Sequence, residues 1–522
     1  MPEKRLVSSL ERLCLEYVAK NLDQVWDKDL MDNHLAESFV PWLIYIRWEA
    51  KTLTSAVLDT LLVHHLRTLK LSFCPELVDQ VLIQTIAVRC KKLTLLDLFD
   101  CSNVPAESLA QLVKGLPCLR QLDLSMTQCD TQVLSAVASS CQCLRELAIV
   151  ECSKLTPDSL LYLAYDPLVG SFRALELQRL MAEGLEHDVN RQEQVWVLAF
   201  VVLALPSLKF LVHDLLTEAV SLIHRQQFDA AQMPPGFPSL KELARGRVTS
   251  PANDGMLRPT LALQYMDNVN QSNLPDVCAL CPDLVRMAMD PGDSPMWAQR
   301  VLSFRCLSHL TISCRKEKDL MELLPVTTSL GAQLLYLSIS GFSFIDPFSF
   351  HNLLRHCGNL QKFRASFLSP EKDEEGGQSV DEAMDWDFGL FPLEFLQLSD
   401  FSLEHSDKGN PLPFRHARVL RECLVSVMKH SPLLRSLDLV HLPFSLDDVF
   451  QEVLMCPALL HLSTLMFDNA QVSMCTIDLL LSSKNHLFYI YLYRCPDIDM
   501  AEYNKILHKI EREGFNVQIH LD

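Results

Sequence analysis

Leucines recur along this chain in the short pattern L-x-x-L-x-L, in which apolar and other residues alternate. The first four copies begin at Leu66, Leu93, Leu119 and Leu144, so that successive copies start 27, 26 and 25 residues apart. Alternation over so few residues is typical of a short β-strand with one buried face. A degraded copy starts at Phe172, and further clear copies start at Leu307, Leu334, Leu360, Leu393, Leu434, Leu462 and Leu487.

The residues that follow each copy have the spacing of a helix. Behind the second copy, Leu109, Leu112, Val113 and Leu116 recur at intervals of three and four, which favours an amphipathic helix. A strand and a helix in fewer than about 30 residues cannot bury their own apolar faces, so neighbouring units must stack. The pattern therefore predicts an α/β solenoid, a leucine-rich-repeat horseshoe with parallel strands on the concave face and helices on the convex face.

Two segments organise the chain. Residues 1–50 do not follow the repeat and are predicted to be helical, whereas residues 51–522 are predicted to form the solenoid. Looser spacing and turn-forming residues predict insertions near 181–206, 217–239, 369–392 and 402–418. The third of these holds eight carboxylates and one lysine between 369 and 389, which indicates either a solvated acidic loop or an acidic lid that attracts basic partners.

Cysteines occupy two places in the repeat, after the strand and before the next strand, and a small apolar thiol suits the core at both. The first group is Cys74, Cys101, Cys129, Cys152, Cys314 and Cys495, and the second is Cys90, Cys118, Cys141, Cys143 and Cys456. The arrangement resembles the cysteine-containing class of leucine-rich repeats in intracellular ubiquitin-ligase receptors. The pair Cys278-x-x-Cys281 has no second such pair beside it, so a zinc site is not expected.

Charge and hydropathy limit the partners and the cellular compartment that we expect for this chain. The formal net charge of −19 argues against a nucleic-acid partner, because binding phosphates needs clustered Lys and Arg. The longest uncharged apolar run, Val195–Pro206, is shorter than the ~20 residues that span a bilayer, and it is interpreted as a buried helix. The first residues lack the apolar stretch of a signal peptide. We therefore expect a cytoplasmic or nuclear protein with reduced thiols and no membrane partner.

The first fifty residues contain a predicted helix with one apolar face. Its members recur at helical spacing, and they are Leu6, Leu10, Leu13, Cys14, Tyr17 and Val18. One interpretation is that this helix caps the open end of the solenoid, whose first repeat would otherwise expose its core.

A second interpretation rests on two short motifs. Ser9, Leu10, Cys14 and Val18 fit [S/T]-L-x-x-x-C-x-x-x-Φ, which resembles the BC-box that docks substrate receptors on elongin C. Val40, Pro41, Ile44 and Trp48 fit Φ-P-x-x-Φ-x-x-x-Φ, which resembles the cullin-2 box. Together they resemble the VHL-box of leucine-rich-repeat substrate receptors of cullin-2–elongin B/C ubiquitin ligases, the Zyg/Zer-like group. The armadillo-type carboxy-terminal region of that group is missing here.

The resemblance implies a role for each segment. The amino-terminal helices would bind elongin C, with its partner elongin B, and cullin-2, and Leu10 would fill a pocket on elongin C. The repeats would bind a protein substrate, so the chain would be a non-catalytic substrate-recognition subunit. An F-box-like cullin-1 receptor and a non-ligase scaffold or inhibitor are the alternatives.

No phosphate-binding, metalloprotease or nucleophile-elbow motif occurs in the sequence, and neither catalysis, a cofactor nor a metal is expected. Residues between the strand leucines are predicted to point into the concave face, because side chains alternate along a strand. Exposed aromatics are typical anchors of interfaces. The predicted substrate-binding residues are Tyr336, Arg364, Phe395, Tyr491 and Tyr493.

Overall fold

A computed structural model describes residues 10–22, 35–185, 190–246, 259–370, 389–406 and 410–522. The chain folds into two compact units. The amino-terminal unit contains Ser8–Asn268 and Pro275–Leu284, and the carboxy-terminal unit contains Val269–Leu274 and Val285–Asp522. No helix within the described ranges has the length and apolar character needed to cross a membrane.

The strands are short, and most of them fall where the leucine pattern predicts them. They are β1 (Thr68–Lys70), β2 (Leu95–Asp97), β3 (Gln121–Asp123), β4 (Glu146–Ala148), β5 (Tyr165–Asp166), β6 (Ser171–Phe172), β7 (Arg179–Met181), β8 (Phe210–Val212), β9 (Tyr265–Asn270), β10 (Arg286–Asp290), β11 (His309–Asp319), β12 (Tyr336–Ser343), β13 (Lys362–Leu368), β14 (Asp400–His405), β15 (Ser436–Val440), β16 (Thr464–Asp468), β17 (Tyr489–Tyr493) and β18 (Gln518–Leu521). The repeat predicted from Phe172 is shifted by five residues, because its strand (Arg179–Met181) is built on the buried Leu177 and Leu180.

Helices alternate with these strands. They are α1 (Leu10–Lys20), α2 (Leu35–Glu49), α3 (Ser55–Leu61), α4 (Gln80–Arg89), α5 (Ala106–Lys114), α6 (Thr131–Ser140), α7 (Leu161–Ala164), α8 (Arg191–Ala204), α9 (Leu216–Arg225), α10 (Leu240–Gly246), α11 (Leu274–Leu280), α12 (Trp297–Val301), α13 (Leu324–Leu330), α14 (Ser349–Arg355), α15 (Phe414–His430), α16 (Leu446–Leu454), α17 (Met474–Ser482) and α18 (Met500–Glu513).

Apart from β5 and β6, which pair with each other as a short antiparallel sheet, the described strands form two parallel sheets. One has six strands in the order β1-β2-β3-β4-β7-β8, and the other has ten strands running in order from β9 to β18. Equivalent positions of successive repeats lie opposite one another: Leu69 pairs with Leu96, and Leu96 pairs with Leu122. All three are buried, and each contributes about 1.5–3 kcal/mol to folding. One strand per repeat in a parallel sheet confirms the predicted alternation of strand and helix, while the horseshoe curvature stays a prediction.

Acidic side chains begin several repeat helices. The Asp79 carboxylate accepts a hydrogen bond from the Leu82 backbone N–H at 2.8 Å ahead of α4. Asp130 does the same for the Val133 N–H at 3.0 Å ahead of α6. Each cap satisfies one of the donors that the first helical turn leaves without a partner, which contributes about 1 kcal/mol. The sequence thus fixes where the strand-to-helix turn ends.

The cysteine positions follow a rule that corrects the sequence analysis in part. Four cysteines that follow a strand are buried, Cys74, Cys101, Cys129 and Cys152, whereas Cys314 and Cys495 are partly exposed. Cysteines three residues before the first leucine of a repeat are buried, namely Cys90, Cys141, Cys281 and Cys357. The predicted core positions Cys118, Cys143 and Cys456 are exposed. Cys118 and Cys143 directly precede a repeat leucine, in the turn that leads into the strand, where alternation points the side chain outward.

Burial disfavours the thiolate form of Cys90 and Cys281. Burial raises the pKa of Cys90 to about 12, and its Sγ donates a hydrogen bond to the Val63 carbonyl. Burial likewise raises the pKa of Cys281, which opposes the thiolate form that a metal needs. All 18 cysteines are free. Among the described residues, no group of three or more His, Cys, Asp and Glu side chains is placed to hold a metal ion.

Three of the predicted insertions contain regular repeat structure. Helix α8 lies within 181–206 and is buried along most of its length, as expected for the apolar run Val195–Pro206. Helix α9 fills the start of 217–239, and β14 and α15 occupy much of 402–418. These elements belong to the repeats, whereas residues 226–239 contain no helix or strand, and the bounds of the insertions stay a prediction. Residues 371–388 and 407–409 lie outside the described ranges.

The repeat predicted from Leu393 is shifted by five residues. Its strand, β14, is built on the pattern of Leu398, Phe401 and Leu403, all of which are buried. Leu396, which the repeat predicted from Leu393 would place in the core, is 69% exposed. Phe395 therefore does not lie on the strand at all. It is 2% exposed and lies in the segment between β13 and β14, so it is not on the open strand face where the sequence analysis placed it.

Candidate functional site

Helix α1 has two apolar faces, and only one of them packs against the protein. Leu15, Ala19 and Leu22 are buried, at the spacing of one helix face, and α1 packs against α2. On the other face Leu13 is 43% exposed and Tyr17 is 63% exposed, and Cys14 between them is exposed as well. We call Leu13, Cys14 and Tyr17 the α1 stripe. Within the described residues, no helix or strand covers this apolar face.

The predicted elongin C-binding residues lie as follows. Ser9 is outside the described residues, and Leu10 is the first residue of α1, with its side chain outside the description. Cys14 belongs to the exposed α1 stripe. Val18 is partly buried at the edge of the packed face. Position 10 precedes Leu13 by three residues and Cys14 by four. The BC-box-like motif and the α1 stripe therefore share one face of the helix.

The predicted cullin-binding residues separate into two groups on α2. Val40 and Ile44 are buried at 0% and 1% exposure, because the face of α2 that they share packs toward α1 and β1. They are therefore unavailable to a partner in this conformation, which corrects their assignment as contact residues. Pro41 lies inside the helix and is partly exposed, and Trp48 is exposed.

An aromatic cluster that the sequence analysis missed lies on the outer side of α2. Tyr45 is its centre, with ring centroids 5.9 Å from Trp48, 6.4 Å from Trp42 and 5.7 Å from Phe73, which follows β1. Trp42 and Trp48 are both substantially exposed. Exposed tryptophans beside a tyrosine are typical of interface anchors. The spacing of residues 42, 45 and 48, three apart on one helix, was the signal that could have indicated this cluster.

The open face of the ten-stranded sheet, opposite its buried leucines, is the second candidate surface. Register places one residue per strand in a central row across it, and that row is Ala288, Thr311, Ser338, Arg364, Ser402, Asp438, Met466, Tyr491 and His520. Arg364 and Tyr491 were predicted here. Tyr336 and Tyr493 lie in the adjacent rows, both partly exposed. Four of the five predicted substrate-binding residues thus share this face.

The tyrosines of β17 form a stacked series. Tyr489, Tyr491 and Tyr493 alternate along the strand, with successive ring centroids 6.0 Å apart and ring planes within 22°. His520 of β18 stacks on Tyr491 at 5.0 Å. We call these four residues the aromatic ladder. It presents flat ring surface at one end of the open face.

Carboxylates lie beside the aromatic ladder and differ in their partners. Asp400 pairs with Lys362 at 3.4 Å, and Asp468 forms a bidentate pair with Arg494. Burial raises the pKa of Asp438, while the charge of Arg364 opposes this rise and the charge of Asp400 adds to it. Ser436 donates a hydrogen bond to Asp438. The ionised form of Asp438 is therefore under-stabilised within the chain.

Comparison with known proteins does not assign the chain to a family. No family model matches the sequence, and no curated protein matches it. Among solved structures, the chain is similar to one in the crystal structure of the Rad7 and Elc1 complex in yeast, with 14% identity over 95% of this chain and 96% of that chain and a TM-score of 0.40. Function is therefore inferred from the two surfaces themselves.

Proposed function

We propose that this protein is the substrate-recognition subunit of a cullin-2–elongin B/C ubiquitin ligase. Helix α1 docks on elongin C, and the open face of the ten-stranded sheet binds the protein substrate. The chain itself is a non-catalytic adaptor. The observation that carries the proposal is the outward α1 stripe, since a helix that served only as a cap would turn its apolar residues inward.

The α1 stripe suits binding in the groove of a partner. Leu13 and Tyr17 project from one face of the helix, with the smaller Cys14 between them. Side chains spaced in this way are the anchors of helix-in-groove recognition. Full burial of an exposed leucine in such a groove contributes about 1.5–3 kcal/mol to binding. The cap interpretation and the docking interpretation are compatible, because α1 packs against α2 through a face that contains the buried Leu15, Ala19 and Leu22, while the α1 stripe is exposed.

The cullin-2 contact falls on the aromatic cluster of α2 in this proposal. Val40 and Ile44 hold α2 against the chain from inside, and Trp42, Pro41 and Trp48 face the partner. Tryptophans are enriched among the residues that dominate interface energetics. The two surfaces for the ligase then lie on neighbouring helices of the amino-terminal unit.

Substrate capture belongs to the carboxy-terminal unit. Tyr336, Arg364, Tyr491 and Tyr493 offer aromatic and cationic groups on one sheet face. The ligase reaction itself needs only that substrate lysines are held close to a recruited ubiquitin-conjugating enzyme, so the contribution of this chain is proximity.

Co-purification with elongin B/C tests the ligase assignment. Full-length tagged protein should recover elongin C, and the double change Leu10→Ala with Cys14→Ala should reduce that recovery at least about tenfold, as expected for loss of two groove anchors. The pair Val81→Ala and Val88→Ala is the matched control, because both valines are about 70% exposed on the repeat helix α4. That control should leave recovery unchanged.

A second pair of variants separates cullin-2 from elongin C. Trp42→Ala and Trp48→Ala should lower recovery of cullin-2 while elongin C is retained. Failure of the unchanged protein to recover elongin C would make the chain a scaffold or inhibitor with a capping helix. Recovery of the F-box-binding adaptor of cullin-1 ligases instead would establish the F-box-like alternative.

A further inference from the structure

Three residues on neighbouring strands of the open face form a slot. Asp438, Met466 and Tyr491 are register partners on β15, β16 and β17. Parallel strands lie about 4.8 Å apart, so the backbones that carry Asp438 and Tyr491 are separated by about 10 Å, with Met466 between them. All three side chains are partly exposed. We call this arrangement the Asp438–Tyr491 slot.

The walls of the slot both attract cations. Asp438 supplies a carboxylate, and Tyr491 supplies the edge of the aromatic ladder, whose rings bind cations through their quadrupole. Met466 forms a flexible, polarizable floor that adapts to a long side chain.

The surrounding charges favour an incoming cation. Glu404 lies one row along the open face, on β14, whereas Asp468 in the same row of β16 is already paired with Arg494. Arg364 lies two strands from Asp438 on the side away from Tyr491, so it offsets part of the negative charge without filling the slot. The whole chain carries a formal charge of −19, which raises the local concentration of basic segments.

We propose that the Asp438–Tyr491 slot binds an arginine side chain in an extended basic segment of the substrate; this rests on the proposed role of the open face in substrate capture. The guanidinium group donates hydrogen bonds to Asp438 and lies against Tyr491. Arginine fits better than lysine, because its planar group combines directed hydrogen bonding with stacking on a ring.

Fluorescence anisotropy with a defined peptide tests the slot. The probe is a fluorescein-labelled peptide with four Gly-Ser-Arg repeats, and its twin carries citrulline, which is neutral and similar in shape, at every arginine. The full-length protein should bind the arginine peptide and bind the citrulline peptide at least about tenfold more weakly, as expected for loss of charge-assisted hydrogen bonds. Equal binding of the two peptides, or binding of neither, overturns the proposal.

Variants place the binding at the slot. Asp438→Asn, which keeps the shape, should weaken arginine-peptide binding about tenfold, and Tyr491→Leu should weaken it about threefold or more, whereas Tyr491→Phe keeps the ring and should change it less than about twofold. The control is Asp283→Asn, which removes the same charge from an exposed position before β10. An equal effect of Asp283→Asn and Asp438→Asn overturns the assignment to the slot.

Elongin C recovery from the same preparations separates the two proposals. Arginine-dependent binding without elongin C recovery rejects the ligase role and leaves the slot standing. Elongin C recovery without arginine-dependent binding rejects the slot and leaves the ligase role standing.

Discussion

The two sheets use the same aspartate position of the repeat in different ways. Asp97, Asp123 and Asp438 each stand between two strand leucines in the sequence Leu-Asp-Leu. In the six-stranded sheet, Asp97 accepts a hydrogen bond from the Phe99 N–H at 3.1 Å and Asp123 accepts one from the Ser125 N–H at 2.9 Å. These carboxylates hold the turn after the strand.

Strand length explains the difference. Strands β2 and β3 end at Asp97 and Asp123, so the N–H two residues later is left for the side chain to bind. Strand β15 continues to Val440, which pairs with Glu404 on one side and Asp468 on the other. Asp438 is then released from the turn and remains on the open face. Because β15 extends two residues beyond Asp438, this carboxylate does not hold a turn and is available to a partner.

Removing the turn carboxylate should have the largest effect. Asp123→Ala leaves the buried Ser125 N–H without its acceptor, which costs about 1–3 kcal/mol, whereas Asp123→Asn keeps an acceptor oxygen and should cost less. The chain has two units, so global unfolding need not be a single transition. Hydrogen exchange at the Ser125 amide is the suitable measurement, and it should accelerate in Asp123→Ala. Unchanged exchange would contradict the structural role of Asp123.

Asp438 should behave in the opposite way. Burial raises its pKa in the folded state, so the ionised carboxylate destabilises the fold at pH values above the ordinary carboxyl pKa. Asp438→Asn is therefore expected to raise the melting temperature at pH 7, and this advantage should shrink as the pH falls through the raised pKa. Scanning calorimetry between pH 4 and 7 measures it. A lower melting temperature at pH 7 would show that Asp438 serves the fold as Asp123 does.

The leucine pattern predicts most of the fold because every repeat must bury the apolar faces of one strand and one helix in the same way. It fails at residues 172–182, where two copies of the pattern overlap and share Leu177, and again at residues 393–403, where two copies share Leu398. Only pairing of β14 with β13 and β15 selects the second copy, and such non-local register is invisible in a local pattern.

The candidate surfaces were predictable to different degrees. Tyr491 and Tyr493 follow from alternation along a strand, which is a local property. The burial of Val40 and Ile44 depends on how α2 packs against α1 and β1, and the motif at 40–48 does not contain that information. The role of Asp438 depends on strand length, which the identical Leu-Asp-Leu sequences do not reveal.

The smallest expected difference between the two sheets concerns the residue three positions after the aspartate. Met126 and His441 occupy it after Asp123 and Asp438, and both have positive φ angles, 56° and 54°. A residue with a Cβ is strained by about 1–2 kcal/mol at such a positive φ angle. Glycine avoids this strain, but the greater conformational entropy of glycine in the unfolded chain offsets part of the gain in stability. Met126 is partly exposed at a turn, so Met126→Gly should stabilise the amino-terminal unit by about 0.5 kcal/mol.

His441→Gly should give no such gain. The His441 ring stacks on His405 at 5.8 Å, and its Nδ1 contacts the amide of Asn469. Losing these contacts offsets the relief of strain. Urea titrations of the two variants, followed by hydrogen exchange in each sheet, measure the difference. Equal stabilisation by both changes would mean that the turns after the two kinds of strand are equivalent, and that strand length alone separates Asp123 from Asp438.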